Sequence, residues 1–212
     1  MPVTAKICGL STPETLAAAL NGGASHVGFV FFPPSPRHLD FDRARGLGRR
    51  VPGNVGKVGV FVDPNDQMLD AAVGAAGLTA LQLHKTAPVR VAAIRKRFGL
   101  ECWAAVAVKT RADLNVAPAY RGAADRILYD ARTPDDATLP GGMGVRFDWT
   151  LLHGFAHPLP WLLSGGLDAD NAAEAARTTG APMVDVSSGV ERAPGVKDVA
   201  KIAAFLKAVA QC

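Results

Sequence analysis

The stretch WLLSGGLDADNAAEAARTTGAPMVDVSSG, residues 161–189, decides the fold of this chain. It begins with a short apolar run, passes through two glycines, and continues into an alanine-rich amphipathic segment that ends at Gly180. A second run rich in β-formers follows at 183–188. Two short strands joined by a helical segment are typical of a β-α-β unit, in which the strands lie parallel and the helix packs on the sheet.

The same unit recurs along the chain with a period of roughly 25 residues. Amphipathic segments separate eight apolar runs. The exception is the segment 132–160, which is rich in Gly and Pro and leaves room for a short helix at most. The runs are VTAKIC (3–8), HVGFVF (26–31), KVGVFV (57–62), LTALQL (78–83), CWAAVAV (102–108), RILYD (126–130), WLLS (161–164) and MVDVSS (183–188). Eight alternations predict an α/β fold, a single-domain (β/α)₈ TIM barrel over residues 1–212, with an open doubly wound sheet as the structural alternative.

Composition and charge limit the function classes. The net charge of +4 suits an anionic ligand, but the densest basic groups, at 43–50 and 95–98, are typical of solvated helix faces, so we expect no nucleic-acid partner. Cys8, Cys102 and Cys212 show no CxxC spacing, which argues against a disulfide framework and a cysteine zinc site. Because the chain shows neither a signal peptide nor a membrane-spanning run, we expect a cytoplasmic protein with no membrane partner.

Polar side chains near the predicted strand ends share the parity that a barrel interior requires. Side chains of a barrel strand alternate between the interior and the helices, and functional groups collect at the carboxyl ends. In four strands the polar residues fall on one face; they are Lys6 and Cys8, Gln82 and His84, Asp130, and Asp185 and Ser187. Taken singly, His84 could be a satisfied buried histidine, Asp130 a helix cap and Gln82 a structural hydrogen bonder. Their agreement predicts a catalytic mouth at this end of the barrel.

The loops after the last two strands predict an anion site. A pair of glycines lets backbone N–H groups approach a phosphate closely, and hydroxyl groups add further donors. Phosphate sites of such barrels are frequently built from the loops after strands seven and eight. The candidate phosphate-binding residues in these two loops are Gly165, Gly166, Ser187, Ser188 and Gly189.

Seven blocks carry a family resemblance that runs from residue 5 to the C-terminus. They are KICGL (6–10), GFVFFPPSPR (28–37), VGVFVD (58–63), LQLH (81–84), GGMGVRFDW (141–149), LSGGLDADN (163–171) and VDVSSGVERAPGVKD (184–198). In order and spacing they resemble phosphoribosylanthranilate isomerase of tryptophan biosynthesis. The resemblance implies an Amadori rearrangement of N-(5-phosphoribosyl)anthranilate to 1-(2-carboxyphenylamino)-1-deoxyribulose 5-phosphate. It implies a small-molecule substrate, neither cofactor nor metal, and a monomer or homodimer.

The resemblance places Cys8 as the general base and Asp130 as the general acid. The acid protonates the ribose ring oxygen so that the ring opens to a Schiff base, and the base removes the C2 proton to give an enolamine. A free thiol has a pKa of about 8.5, so we expect a nearby cation to lower the pKa of Cys8. An aspartate ionises near pH ~4, so we expect burial beside apolar side chains such as Leu128 to raise the pKa of Asp130.

Further roles also follow from the resemblance. It places Arg37, on the loop after the second strand, against the anthranilate carboxylate, to which a guanidinium can donate two parallel hydrogen bonds. His84, Asp185 and Lys6 belong to the same substrate pocket, where Lys6 either orients or polarises the substrate.

One loop departs from the family pattern. GGMGVRFDW has Met143 and Val145 where the family usually shows a threonine and a lysine. A polar contact on the phosphate side is therefore either absent or replaced by Arg146.

Two other function classes stay open on the residues alone. One is another phosphate-binding barrel enzyme acting on a phosphosugar, such as a metal-dependent epimerase or the ring-forming enzyme of the same pathway. The metal-dependent epimerases need several histidines and carboxylates at the strand ends, and the ring-forming enzyme needs lysines and glutamates there. The strand ends of this chain offer cysteine and aspartate instead. The other class is a non-catalytic barrel that binds phosphorylated ligands, which would need no acid and base in one pocket.

Overall fold

Eight parallel strands close into one barrel in a computed structural model, which describes residues 2–133 and 144–212. Each strand pairs with the next in sequence, and the eighth pairs with the first. The strands are β1 (Thr4–Cys8), β2 (His26–Val30), β3 (Gly56–Val62), β4 (Ala80–His84), β5 (Glu101–Val108), β6 (Arg126–Ala131), β7 (Trp161–Leu163) and β8 (Met183–Val186). The closed circuit confirms the (β/α)₈ barrel and excludes the open doubly wound sheet.

Helical segments follow the strands as the periodicity predicts. Pro13 occupies the first turn of the first helix, where its missing N–H costs nothing, and the Thr12 side chain caps that helix by accepting from the Thr15 N–H. The α-helices are α1 (Pro13–Asn21), α2 (Phe41–Gly48), α3 (Asp66–Ala76), α4 (Pro88–Phe98), α5 (Ala172–Thr179) and α6 (Val199–Val209). Single 3₁₀ segments span Arg111–Tyr120, Trp149–Leu152 and Ser188–Val190, and a hairpin of β9 (Glu191–Ala193) and β10 (Val196–Lys197) precedes α6. Across both described ranges, no helix is long and apolar enough to cross a membrane.

The described part of the segment after β6 holds a packed aromatic group. As expected, the described part of residues 132–160 holds only one short 3₁₀ segment. The ring of His157 stacks on Trp161 with centroids 4.1 Å apart, and Tyr129 and Phe155 pack edge-on beside them. Burial lowers the pKa of His157 to about 4, so the imidazole is neutral at physiological pH and packs as an apolar ring.

The barrel interior is apolar toward the amino ends of the strands and mostly polar two residues later. One packed cluster forms the apolar floor; it consists of Val58, Ala80, Trp103, Leu128, Leu162 and Met183. Side chains repeat with a period of two, so the next inward positions on five of these strands are Val60, Gln82, Asp130, Ser164 and Asp185. All five line one open cleft at the carboxyl end of the barrel. The polar site therefore rests on an apolar floor that removes water from its lower side.

Candidate active site

A buried ion pair between neighbouring strands forms the base of the site. Lys6 on β1 lies opposite Asp185 on β8, and Lys6 Nζ donates to Asp185 Oδ1 over 2.8 Å. The Lys6 side chain is fully buried. Burial alone would lower the pKa of Lys6, but the charges of Asp185 and Cys8 outweigh that effect and raise it. Lys6 is therefore a cation under the cleft that does not line it, and its predicted contact with the substrate stays a prediction.

Cys8 ends β1 two residues beyond Lys6, and its thiol lines the cleft. The neighbouring strand leaves room for the sulfur, since a Cβ added at Gly28 would lie 3.0 Å from Cys8 Sγ and 3.1 Å from Lys6 Nζ. The expectation of a lowered pKa is wrong. Burial raises the pKa of Cys8, and the positive charge of Lys6 reduces that increase without cancelling it.

Asp130 lies on β6 with its side chain buried in the same cleft. Asp130 Oδ1 accepts a hydrogen bond from the N–H of Ala131 over 2.9 Å. The Ser164 hydroxyl also hydrogen-bonds to the Asp130 carboxyl and lies 3.4 Å from Asp185 Oδ2. Burial raises the pKa of Asp130 to about 7, and the negative charge of Asp185 adds to the increase. The predicted direction is confirmed, and a carboxyl that carries a proton near neutral pH can act as an acid.

His84 and Gln82 form a hydrogen-bonded pair on β4. Gln82 Nε2 lies 2.9 Å from His84 Nε2, and both side chains are buried against the cleft. The pKa of His84 is lowered to about 4, mainly by burial and secondly by the positive charge of Lys6. His84 is therefore neutral at physiological pH. Gln82 Oε1 is buried with no protein donor among the described residues. Gln82 lines the cleft, so a ligand that displaces its neighbours could supply the missing donor.

Arg37 lies on the loop between β2 and α2 and is buried, unlike an ordinary loop arginine. Its Nε donates to Glu191 Oε1 over 2.7 Å and its Nη2 to Glu191 Oε2 over 2.8 Å. Its alkyl chain crosses Gly9, where an added Cβ would lie 2.8 Å from Arg37 Cδ. Gly9 also has a φ of +76°. Glycine is therefore required directly after Cys8 for two reasons: a side chain would collide with Arg37, and the backbone conformation favours glycine. Arg37 lines the cleft as predicted.

The two predicted phosphate loops lie side by side at the cleft. Gly165, Gly166, Ser187 and Ser188 all line it, whereas Gly189 packs against the Leu167 carbonyl instead, where an added Cβ would lie only 1.9 Å from that oxygen. Gly165 and Gly166 have φ of +93° and +64°. Within the described part of the chain, neither of their N–H groups donates to a backbone carbonyl. This leaves two amides at the cleft for an anion.

The loop that departs from the family pattern is described only from residue 144 onward, so Met143 lies outside the described residues. Val145 lines the cleft and offers it an apolar side chain. Arg146 Nε donates to the Gly166 carbonyl over 2.9 Å, and its Nη2 donates to Asp168 over 2.7 Å. Arg146 therefore binds the glycine loop from its outer side rather than lining the cleft.

The cleft formed by the described residues is open to solvent. It brings together the predicted acid, base and guanidinium with four of the five predicted phosphate residues, while Lys6 lies beneath it. Within residues 2–133 and 144–212, no group of three or more His, Cys, Asp or Glu side chains is arranged to hold a metal ion.

Sequence analysis missed three residues that contact this site. Ser164 joins Asp130 to Asp185, and its parity with Leu162 in the WLLS run was the available signal. Glu191 and Lys197 follow β8, where charges around a turn usually face solvent. No local pattern distinguishes these two from surface charges, because their burial depends on the distant Arg37 loop.

The chain is similar to known proteins over nearly its whole length. The model of the family N-(5'phosphoribosyl)anthranilate (PRA) isomerase matches residues 5–208. The N-(5'-phosphoribosyl)anthranilate isomerase of Zymomonas mobilis subsp. pomaceae is 56% identical over 211 residues, which cover 99% of each chain. A crystal structure of monomers of the dimeric phosphoribosylanthranilate isomerase of Thermotoga maritima is 33% identical, with a TM-score of 0.85, and covers 99% of this chain and 100% of that chain. A phosphoribosyl anthranilate isomerase in complex with reduced 1-(o-carboxyphenylamino)-1-deoxyribulose 5-phosphate is 32% identical, with a TM-score of 0.86 and the same coverage.

Proposed function

Because the chain belongs to the N-(5'-phosphoribosyl)anthranilate isomerase family, we propose that it performs the family's reaction with Asp130 as general acid and Cys8 as general base. The chain catalyses the isomerisation of N-(5'-phosphoribosyl)anthranilate in tryptophan biosynthesis, an aldose-to-ketose rearrangement of a small-molecule substrate. The observation that carries the two roles is the placement of a buried carboxyl and a thiol in one cleft above an apolar floor.

Asp130 acts first. Its proton passes to the ribose ring oxygen, the bond between that oxygen and C1 breaks, and the nitrogen lone pair forms the Schiff base. A pKa of about 7 suits this transfer, because the group holds its proton near neutral pH and releases it without a large barrier. Ser164 and the Ala131 N–H accommodate the carboxylate that remains.

Cys8 acts second. Its thiolate removes the proton from C2, the electron pair of that C–H bond forms a C1–C2 double bond, and the electron pair of the iminium bond returns to nitrogen, which gives an enolamine. The enolamine becomes the ketone of the product when its C2 hydroxyl loses a proton and C1 gains one. Lys6, beneath the sulfur, favours the thiolate through its positive charge. Asp185 keeps Lys6 in place through the 2.8 Å ion pair.

The remaining cleft residues bind the two ends of the substrate. Arg37 donates hydrogen bonds to the anthranilate carboxylate, the neutral His84 hydrogen-bonds along the sugar, and Gln82 Oε1 accepts a hydrogen bond there. The phosphate lies against the amides of the glycine loop and the serine hydroxyls; the residues assigned to it are Gly165, Gly166, Ser187, Ser188 and, through the backbone of its loop, Gly189.

Assembly and location belong to the same proposal. The whole chain, residues 1–212, acts as one catalytic domain, as a monomer or as a homodimer like the Thermotoga maritima relative described as dimeric. Its three cysteines are unpaired, which fits the reducing cytoplasm. Sedimentation velocity at several concentrations distinguishes the two oligomeric states.

Cys8→Ser tests the role of the thiol, with Cys102→Ser as the matched control, since Cys102 is buried outside the cleft. Substrate is generated in place from anthranilate and phosphoribosyl pyrophosphate, and its loss of fluorescence is followed. We expect kcat to fall at least about a hundredfold in Cys8→Ser and less than about threefold in Cys102→Ser. Equal activity in both variants would refute the role of Cys8. A parent that binds the product without turnover would point to a phospholigand-binding barrel.

A further inference from the structure

Arg37 shares its carboxylate partner with a second buried cation. Lys197, on β10, donates from Nζ to Glu191 Oε1 over 2.7 Å, while Gly195 in the hairpin turn donates its N–H to Oε2 over 3.2 Å. Lys197 also donates to the carbonyl of Ser187 over 2.8 Å. The Glu191 carboxylate thus receives four donors, two from Arg37 and two from its own hairpin.

All three charged side chains are buried, with exposures of 6% to 8%. Burial would raise the pKa of Glu191, but Arg37 and Lys197 outweigh it and hold the pKa below its ordinary value, so Glu191 is a carboxylate at neutral pH. Buried ion pairs stabilise a fold little compared with apolar packing, because both charges lose their water. A gain in stability is therefore a weak explanation for burying Arg37, Glu191 and Lys197 together. An effect of Glu191 and Lys197 on the orientation of Arg37 is a stronger explanation.

The hairpin of β9 and β10 packs directly against the Arg37 loop. A Cβ added at Gly195 would lie 2.4 Å from the Pro36 carbonyl oxygen, so the turn is in direct contact with the residue before Arg37. On its other side the Arg37 side chain rests on Gly9. The guanidinium is therefore held between the backbone that follows Cys8 and a carboxylate that Lys197 and Gly195 hold in place.

We propose that Glu191 is a positioning residue that orients the Arg37 guanidinium toward the substrate carboxylate, with Lys197 fixing Glu191. This rests on the proposed role of Arg37. A preformed guanidinium loses little conformational freedom when it binds a carboxylate, whereas a mobile one must be ordered each time. Glu191 acts through binding and not on the reacting atoms, so its removal weakens substrate binding and leaves the chemical step largely intact.

The test is a double-mutant cycle on KM and kcat with Glu191→Ala, Arg37→Ala and the double variant. We expect each single variant to raise KM by about tenfold or more with kcat changed less than about threefold, and the double variant to resemble Arg37→Ala alone. Glu191→Gln, which keeps one acceptor oxygen, gives a smaller increase in KM. Glu14→Ala, at an exposed glutamate on α1, serves as the control and keeps the parent KM.

The outcomes separate this inference from the function on which it rests. If Arg37→Ala keeps the parent KM, the proposed role of Arg37 is refuted. If Arg37→Ala raises KM but Glu191→Ala does not, or if the two effects multiply in the double variant, the positioning role of Glu191 alone is overturned. Circular dichroism and thermal unfolding check each fold, and where Glu191→Ala does not fold, Glu191→Gln supplies the same comparison in both backgrounds.

Discussion

Replacing Asp130 with asparagine should abolish activity and yet stabilise the fold at alkaline pH. In the folded protein, burial and the charge of Asp185 raise the pKa of Asp130 to about 7 from its ordinary value of 3.8. Between these two values the unfolded chain is ionised at this position while the folded protein keeps the proton. Unfolding therefore releases a proton, and the free energy of unfolding falls as the pH rises from about 4 to about 7.

The magnitude follows from the difference between the two pKa values, which corresponds to about 4 kcal/mol above pH 7. Water in the open cleft solvates part of the charge, so this is an upper limit. Asparagine removes the charge and retains Oδ1 as the acceptor of the Ala131 N–H. We expect Asp130→Asn to raise the free energy of unfolding by about 1–4 kcal/mol at pH 8, and by about 1 kcal/mol or less at pH 4.5.

Guanidinium chloride titrations of the parent and Asp130→Asn at pH 4.5, 6 and 8 measure this difference. Asp42→Asn is the control, since its side chain is 92% exposed and its substitution should give the same small change at each pH. The fluorescence assay should show kcat lowered at least about a hundredfold in Asp130→Asn. A stability difference that does not grow with pH would mean that folded Asp130 is already ionised at neutral pH, and it would refute the assignment of the proton.

Two further outcomes are expected from the geometry around Cys8. Catalysis needs a protonated Asp130, whose pKa is about 7, and a Cys8 thiolate, whose pKa burial raises above its ordinary value of 9.0. The fraction of molecules with both groups in these states rises up to about pH 7, stays level between the two pKa values and then falls, and kcat/KM should follow the same profile. Asp130→Asn, which needs only the thiolate, should lose the alkaline fall and keep rising beyond about pH 7; a parent profile flat from about pH 5 to 9 would contradict both assignments. Gly28→Ala, whose Cβ would meet the Cys8 sulfur at 3.0 Å and Lys6 Nζ at 3.1 Å, should lower kcat about tenfold or more while the fold persists. Its control is Gly74→Ala, where a Cβ meets nothing within 4 Å, and equal kcat in the two variants would show that the sulfur tolerates displacement.

The sequence by itself determined the barrel and the position of its mouth. Apolar runs with a period of two, separated by amphipathic segments, are local patterns that survive in any context, and eight of them in about two hundred residues leave little choice of architecture. Parity along each strand then brought Cys8 and Asp130 to one interior, since alternation of side chains is a property of the strand itself. The resemblance of the sequence blocks added the chemistry that these two groups perform.

The tertiary structure alone decided the electrostatics and the partners. Glu191 binds Arg37 from 154 residues away in sequence, and nothing near either residue in the chain indicates that contact. The pKa of Cys8 shifts in the direction opposite to the expected one, because burial raises it by more than the positive charges of Lys6 and Lys197 lower it. Strand patterns are local and could be predicted from the sequence. Charge pairing and the balance between burial and charge sum over the whole fold, so the direction of the pKa shift was predicted correctly for Asp130, where burial dominates, and wrongly for Cys8, where burial and cations oppose each other.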